Sequence, residues 1–267
     1  MTSLDINNPF GAPVYYLETV ESTMDVSREL AQRGEPHGTV IAAGFQKKGR
    51  GRLGGRVWLT EKNENLLFTI LLRYHRIENI PAAITLRTGI AVSRAVENYA
   101  AQINNPAARP SPRINGTVTV KWPNDIMIDN KKAAGILCEA TSEGIVHAGI
   151  GVNFAQKEFP SSINKKATSI AIALGIDIAP NERFVLLEKI LASFYNELAT
   201  AQESLKSRLE QRLYKKNEKV IFIEGAADSG REITGTLSGI TETGELLIKV
   251  DEEKENRSFI TGELKLD

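Results

Sequence analysis

The order of the secondary-structure patterns is the feature that most limits the fold of this chain. Up to Leu213, apolar runs typical of strands alternate with amphipathic segments typical of helices. Beyond Lys215-Lys216-Asn217, only short alternating runs separated by tight turns remain. Strands mixed with helices before a β-only tail predict an α+β fold in two parts, 1–214 and 215–267. We expect a mixed or antiparallel sheet with helices, followed by a small β-barrel.

Individual elements follow from periodicity and from turn residues. The strands predicted before the tail are Val14 to Val20, Thr39 to Phe45, Asn65 to Leu72, Thr117 to Lys121, Asp125 to Ile128, Ala133 to Ala140 and Ile145 to Phe154. The predicted helices are Ser22 to Arg33, a long one from Pro81 through Tyr99, Thr168 to Leu174 and Asn181 to Leu213. An exposed loop is predicted at Ala101 to Gly116. The predicted tail strands are Lys219 to Ile223, Ile233 to Ile240, Glu245 to Val250 and Arg257 to Ile260.

The amino-acid composition argues against several classes of function. Lys plus Arg and Asp plus Glu both total 33, so no global field would draw the chain onto nucleic acid or an anionic membrane. The single cysteine, Cys138, fits a reducing cytosol, and its apolar surroundings favour a packed thiol over a nucleophile. We see neither a signal peptide nor about 18 uninterrupted apolar residues, and therefore expect a cytoplasmic protein. His37, His75 and His147 lack the spacing of a metal site.

The segment Gly49 to Arg56 is short, internal and rich in charge, with four glycines and three arginines. Glycines allow consecutive N–H groups to converge on an anion, and the arginine fork suits phosphate or carboxylate oxygens. A merely flexible, solvated loop is the simpler interpretation. Glycine–arginine runs of RNA-binding tails are usually long and terminal, which this one is not. The segment therefore indicates an anion site without naming the anion.

Lys121-Trp122-Pro123-Asn124-Asp125 places a cation, an amide and a carboxylate within one short segment. Pro123 removes a ladder donor, so we expect a strand edge or a bulge there. A carboxylate beside a lysine near a phosphate site suits Mg²⁺. The alternative is a structural turn with a surface ion pair of little energetic value.

Three weaker signals accompany these segments. Lys132 precedes small residues that leave room for a ligand along the strand, whereas we expect Lys131 to lie in a solvated turn. Glycines within Gly149 to Asn153 indicate close approach of a ligand or another backbone. Glu21-Ser22-Thr23 is an ordinary helix cap that could also bind a polar ligand group.

Together these segments resemble the biotin protein ligase family. The resemblance rests on motifs in family order, from Val14 to Asn153: Glu21-Ser22-Thr23, Gln46, Gly49-Arg50-Gly51-Arg52, Trp58, Lys121 to Asp125, Lys132 to Gly135 and Gly149 to Asn153. It implies a class II synthetase-like catalytic domain and a small SH3-like C-terminal domain. Two departures occur: Met24 replaces the asparagine that usually follows Ser-Thr, and Gly54-Gly55 lengthens the loop before Trp58 by one residue.

The resemblance also implies roles for individual residues. Ser22, Thr23 and Gln46 would meet the ureido ring of biotin, and Arg50 and Lys132 its carboxylate. Arg52, Lys121, Asn124, Asp125 and Asn153 would face ATP and its Mg²⁺, with Trp58 near the nucleotide. The resemblance assigns catalysis to Arg52, Lys121 and Lys132, the metal to Asp125, and cofactor contacts also to Gly49, Gly51 and Gly135.

The implied activity is ATP-dependent formation of biotinyl-5′-AMP and transfer of biotin to a lysine of a biotin carboxyl carrier protein, an acetyl-CoA carboxylase subunit or domain. We expect a monomer or homodimer without a membrane partner. We expect no DNA partner, because only about 13 residues precede the first predicted strand. The tail from about Lys219 would serve the adenylate-bound state or the carrier protein without supplying catalytic groups. A lipoate-type ligase and a non-catalytic biotin sensor are the alternatives.

Overall fold

The structure is a computed structural model that describes residues 1–52, 57–58, 60–103, 118–225 and 230–266. Within these residues, the first sheet has eight strands, in the order β1-β2-β3-β4-β8-β7-β6-β5. All neighbouring pairs are antiparallel except β2 with β3. The strands are β1 (Thr2–Ser3), β2 (Val14–Leu17), β3 (Thr39–Ala43), β4 (Leu66–Arg73), β5 (Val118–Lys121), β6 (Asp125–Ile128), β7 (Lys131–Ala140) and β8 (Ile145–Val152).

Helices pack against this sheet. They are α1 (Thr23–Gln32), α2 (Ile84–Ile103), α3 (Ile170–Leu174), α4 (Arg183–Leu198) and α5 (Leu205–Glu210), with short 3₁₀ turns at Ile77–Asn79, Pro180–Glu182 and Gln202–Ser204. Phe68 and Ile70 of β4 belong to the core that α2 and α4 complete, whereas Thr69 between them contacts α1. Because successive side chains of a strand point to opposite faces, α1 lies on the face opposite α2.

Helix α1 begins and ends where its sequence predicts. Ser22 has an extended backbone, and its hydroxyl accepts a hydrogen bond from the Met24 N–H. At the other end, Gly34 takes φ +88°, a conformation that favours glycine and ends the helix. The N-terminus of α1 is thereby fixed beside β4 and β8.

A second sheet forms the C-terminal module, by which we mean residues 215–267. In the described part of the module, five antiparallel strands follow the order β12-β11-β10-β9-β13, consistent with an SH3-like domain. They are β9 (Lys219–Glu224), β10 (Arg231–Ile240), β11 (Leu246–Val250), β12 (Asn256–Phe259) and β13 (Glu263–Leu264).

Trp122 joins the module to the first sheet. Its indole Nε1 donates to the Gly244 carbonyl at 3.0 Å, and its ring centroid lies 6.1 Å from that of Phe222. The connecting chain also pairs with β5, because the Val120 carbonyl accepts from the Tyr214 N–H at 3.0 Å. The module is therefore held against the segment that carries Lys121 and its neighbours.

The α+β fold and its β-only C-terminal sheet are confirmed, with corrections to individual elements. The predicted helix Asn181 to Leu213 is interrupted between Leu198 and Leu205. The residues 101–103, predicted as loop, belong to α2, and 104–117 lie outside the described residues. Strands β1 and β13 were not predicted, since two-residue strands carry too short a pattern. None of the described helices has the length and apolar composition needed to cross a membrane.

Candidate functional site

A cavity of about 140 Å³ lies between the N-terminus of α1, strands β4 to β8 and the described part of the segment Gly49 to Arg56, which we call the Gly/Arg segment. All predicted site residues except Gly49 and Asn153 contribute to the described part of its wall. Those that line it are Ser22, Thr23, Gln46, Arg50, Gly51, Arg52, Trp58, Lys121, Asn124, Asp125, Lys132 and Gly135. Segments widely separated in sequence thus meet at one place.

One end of the cavity is polar and uncharged. The Gln46 side-chain oxygen accepts from the Thr23 N–H at 2.8 Å and from the Thr23 hydroxyl at 3.0 Å. The buried Thr69 hydroxyl donates in turn to the Thr23 hydroxyl at 2.8 Å. Since Oε1 takes both donors, the Gln46 amino group is the end directed to a ligand acceptor. This end suits a neutral hydrogen-bonding group such as a carbonyl.

Paired glycines of neighbouring strands form a flat shelf in the cavity wall. Gly135 of β7 and Gly151 of β8 lie opposite each other, and the Trp58 indole covers both. A Cβ atom at either glycine would come within 2.7 Å of the ring. Trp58 Nε1 is buried and has no hydrogen-bond partner among the described residues. The shelf therefore exists because these two positions lack side chains.

Met24 forms the apolar wall next to the polar end. Its sulfur would lie 3.0 Å from a Cβ atom at Gly149, so the thioether rests directly on the strand. The Met24 side chain is buried and lines the cavity. A thioether accepts hydrogen bonds weakly, whereas an amide donates and accepts. The departure of Met24 from the family pattern therefore makes this wall more apolar.

The other end of the cavity is charged. Lys132 Nζ lies 2.7 Å from Asp125 Oδ1 and 5.3 Å from the centroid of the Trp58 ring. Buried Lys121, at the end of the edge strand β5, lies opposite Asp125 of β6 in the strand register. Pro123 lies in the turn between these strands and not, as expected, in a strand edge or a bulge. A bulge at Ala133, opposite Ile126 and Met127, shifts the register of β7 beside Lys132.

The structure also places two neighbours of these residues. Lys131 is exposed, unlike Lys132, as expected, but it begins strand β7 and does not lie in the turn before it. The Asn124 amide donates to the Ile136 carbonyl at 2.9 Å, and the Ile136 N–H donates back to the Asn124 carbonyl. This exchange ties the turn that carries Asn124 to β7, so the turn has a fixed position at the cavity wall.

Both arginines of the described Gly/Arg segment have protein partners. Arg50 Nη2 lies 2.6 Å from Asp25 Oδ1 on α1, and Arg52 Nη2 donates to the Gly262 carbonyl at 2.7 Å. Glu263, the next residue, lines the cavity. The C-terminal module therefore contributes part of the wall, and the expectation that it supplies no catalytic groups stays a prediction. The predicted lengthening at Gly54-Gly55 falls on 53–56, outside the described residues.

Two predicted residues occupy supporting positions. The Asn153 amide donates to the Thr168 carbonyl at 2.9 Å and holds the segment before α3. The Gly49 carbonyl accepts from the Trp58 N–H at 2.9 Å, and a Cβ atom at Gly49 would lie 2.9 Å from the Trp58 carbonyl. Neither residue lines the described cavity wall, and direct ligand contact by either stays a prediction.

Groups capable of other chemistry lie elsewhere. Burial raises the pKa of the Cys138 thiol to about 11, so the thiolate nucleophile is scarce at neutral pH. His147 Nδ1 and the Ser27 hydroxyl share a hydrogen bond of 2.8 Å, and burial lowers the pKa of His147. In the described part of the chain, no cluster of three or more His, Cys, Asp or Glu residues could hold a metal ion.

Two polar residues of the site, Thr69 and Glu263, were missed by sequence reasoning. Thr69 is the one polar residue inside the apolar run Leu66–Leu72, a signal that could have identified it. Glu263 carries no local signal, because only docking of the C-terminal module brings it to the cavity.

Comparison with known proteins identifies the family. Residues 16–154 match the model of the Biotin/lipoate A/B protein ligase family. The chain belongs to this family. The match covers every described residue of the cavity wall except Glu263, and it confirms the resemblance drawn from the motifs.

Curated relatives of this family extend the comparison. The chain is 32% identical to the bifunctional ligase/repressor BirA of Bacillus spizizenii over 69% of this chain and 53% of that protein. It thus spans about half the length of this relative. It is 28% identical to the biotin–[acetyl-CoA-carboxylase] ligase of Paracoccus denitrificans, over 78% of this chain and 83% of that protein.

Solved structures of biotin protein ligases have the same fold. The ligase of Aquifex aeolicus in complex with biotin and ATP superposes with a TM-score of 0.75 at 29% identity. The match covers 95% of this chain and 98% of that one, so the similarity includes the C-terminal module.

Proposed function

We propose that this protein is an ATP-dependent biotin protein ligase that forms biotinyl-5′-AMP and transfers biotin to a lysine of a biotin carboxyl carrier protein. One observation carries the proposal: a single cavity has a neutral polar end at Thr23 and Gln46 and a charged end at Lys121, Asp125 and Lys132. A ligand that has an uncharged polar ring and a carboxylate tail, and whose tail must react with a phosphate, needs a neutral and a charged region within one cavity.

At the polar end, the Gln46 amino group donates to the ureido carbonyl of biotin, and the Thr23 contact fixes the direction of that amide. Ser22, at the start of α1, adds a hydroxyl beside it. Met24 and the glycine strands give the ring an apolar wall. These contacts orient the ring so that the carboxylate points towards the lysines.

At the charged end, the problem is repulsion between two anions. A biotin carboxylate oxygen must attack the α-phosphorus of ATP while the bond to pyrophosphate breaks. Lys132 and Arg50 hold the carboxylate, and Lys121 and Arg52 neutralise charge on the phosphates. Asn124 and Trp58 line the nucleotide side. We further propose that Asn153 and Gly49 support this side from outside the wall.

A Mg²⁺ ion fits this end of the cavity. Asp125 and Glu263 are the acidic residues of the described wall, and Mg²⁺ is usually held by one or two carboxylates together with phosphate oxygens. Asp125 would hold the ion, which would offset phosphate charge.

Transfer needs no side-chain nucleophile from this chain. The amine of the carrier lysine attacks the acyl carbonyl of the adenylate, and AMP leaves. The unreactive Cys138 thiol is consistent with that scheme. We place the reaction in the cytoplasm, propose 1–214 as the catalytic domain and 215–267 as a separate domain, and propose a monomer or homodimer.

A lipoate-type ligase remains the second candidate, because the family model covers both activities. The chain would be incubated with ATP, Mg²⁺, a purified carrier domain and either biotin or lipoate, and the carrier analysed by mass spectrometry. We expect biotin on one lysine of the carrier, and much less of it with Lys132→Ala. Modification by lipoate alone would replace the proposal with the second candidate, and modification by neither acid would contradict both.

A further inference from the structure

Asp25 connects helix α1 to the Gly/Arg segment. Its Oδ1 atom lies 2.6 Å from Arg50 Nη2 and 2.5 Å from Arg28 Nη1. Arg28 also pairs with Glu139 of β7. The charges therefore alternate along a chain from Glu139 through Arg28 and Asp25 to Arg50. Because Glu139 offsets part of the positive charge of Arg28, Arg28 neutralises Asp25 only in part. The Asp25 carboxylate can therefore also attract Arg50.

Arg50 lines the cavity while it is paired. Its guanidinium group has five N–H donors in a planar fork, and the contact with Asp25 uses one nitrogen, Nη2. The N–H groups on the other nitrogens can donate to an anion at the same time. An arginine that is already oriented loses less side-chain entropy on binding a ligand than a freely rotating one.

We propose that Asp25 is a positioning residue that holds the Arg50 guanidinium at the cavity wall, ready for the carboxylate end of the ligand. This inference rests on the proposed function, because it assigns that carboxylate to biotin. Asp25 itself does not touch the ligand. Asp25 raises the affinity for the ligand only by orienting Arg50, and this gain requires a negatively charged ligand.

The experiment compares biotin with its uncharged amide, each titrated calorimetrically into the full chain. The side chains of Asp25 and Arg50 are each 43% exposed, so the solvent-screened pair should change affinity modestly. Asp25→Asn should weaken biotin binding about two- to fivefold and leave binding of the amide unchanged. Asp25→Glu should recover part of the loss.

Matched variants separate this role from a general effect on α1. Glu29→Gln removes an exposed carboxylate of the same helix, whose pair with Arg33 is 4.0 Å long, and should leave both affinities unchanged. In an Arg50→Ala background, Asp25→Asn should add no further loss.

Three results would overturn the inference: unchanged or tighter biotin binding by Asp25→Asn, an equal loss for biotin and the amide, or an additional loss in the Arg50→Ala background. Failure of the wild-type chain to bind biotin would overturn the proposed function and this inference together. Biotin binding that is the same in the wild type and in Asp25→Asn would overturn this inference and leave the proposed function standing.

Discussion

The glycine shelf makes a quantitative prediction for Gly151→Ala. The added Cβ atom would lie 2.7 Å from Cε2 and 2.8 Å from Nε1 of Trp58, closer than real Cβ atoms come to other heavy atoms. A Cβ atom at Gly135 on the neighbouring strand would meet the same ring equally closely. Overpacking of this kind typically costs about 1–3 kcal/mol. In a chain of this size, that loss should lower the melting temperature by roughly 2–10 °C.

The assay is urea unfolding followed by circular dichroism, in wild-type and Trp58→Ala backgrounds. If the clash is with the indole, Gly151→Ala should cost less than about 0.5 kcal/mol once the ring is removed. Gly149→Ala on the same strand is the matched control, since the flexible Met24 thioether can move aside, and its cost should be smaller. An equal loss in both backgrounds would refute the shelf as the reason for glycine at this position.

Three further predictions concern charge. Lys132→Ala removes the ammonium group proposed to hold the biotin carboxylate, and it leaves the Asp125 carboxylate, 13% exposed, without its 2.7 Å partner. Biotin binding measured by calorimetry should weaken at least about tenfold, whereas Lys131→Ala should leave it unchanged. Equally mild effects of the two substitutions would contradict the assignment of Lys132. Arg52→Gly loses the contact with Gly262 and should release biotinyl-adenylate that labels lysines indiscriminately; labelling confined to the carrier lysine, by mass spectrometry, would count against it. Burial lowers the pKa of His147, so below about pH 6.5 the unfolded chain binds a proton at this residue that the folded chain does not, and the free energy of unfolding should fall as the pH drops. In urea titrations, the free energy of unfolding of His147→Gln should fall less steeply with decreasing pH than that of the wild type. An unchanged slope would exclude His147 as the origin of the pH dependence.

Much of the fold could be predicted because its signals are local. The Ser22 cap and the positive φ of Gly34 bound α1, and the buried stripe of α2 continues for 20 residues. The interruption between α4 and α5 could not be predicted, because the apolar pattern continues through it. The two-residue strands β1 and β13 depend on partners distant in sequence, Tyr16 and Ile223 among them.

The site was predictable where its chemistry is concentrated in short motifs. Lys132 and Asp125 were both identified, but their contact depends on a bulge at Ala133 that no local pattern indicates. Glu263 reaches the cavity only through docking of the C-terminal module, which Trp122 anchors. Pairings between distant segments are tertiary information, and a single sequence does not display them.

The central claim is that one cavity joins the carboxylate of biotin to the α-phosphate of ATP. Exchange of labelled pyrophosphate into ATP tests it most directly, because the exchange requires reversible adenylate formation and no carrier protein. The account predicts exchange that depends on biotin in the wild-type chain and falls sharply in Asp125→Asn. Exchange without biotin, or none in a folded chain that binds both ligands, would contradict it.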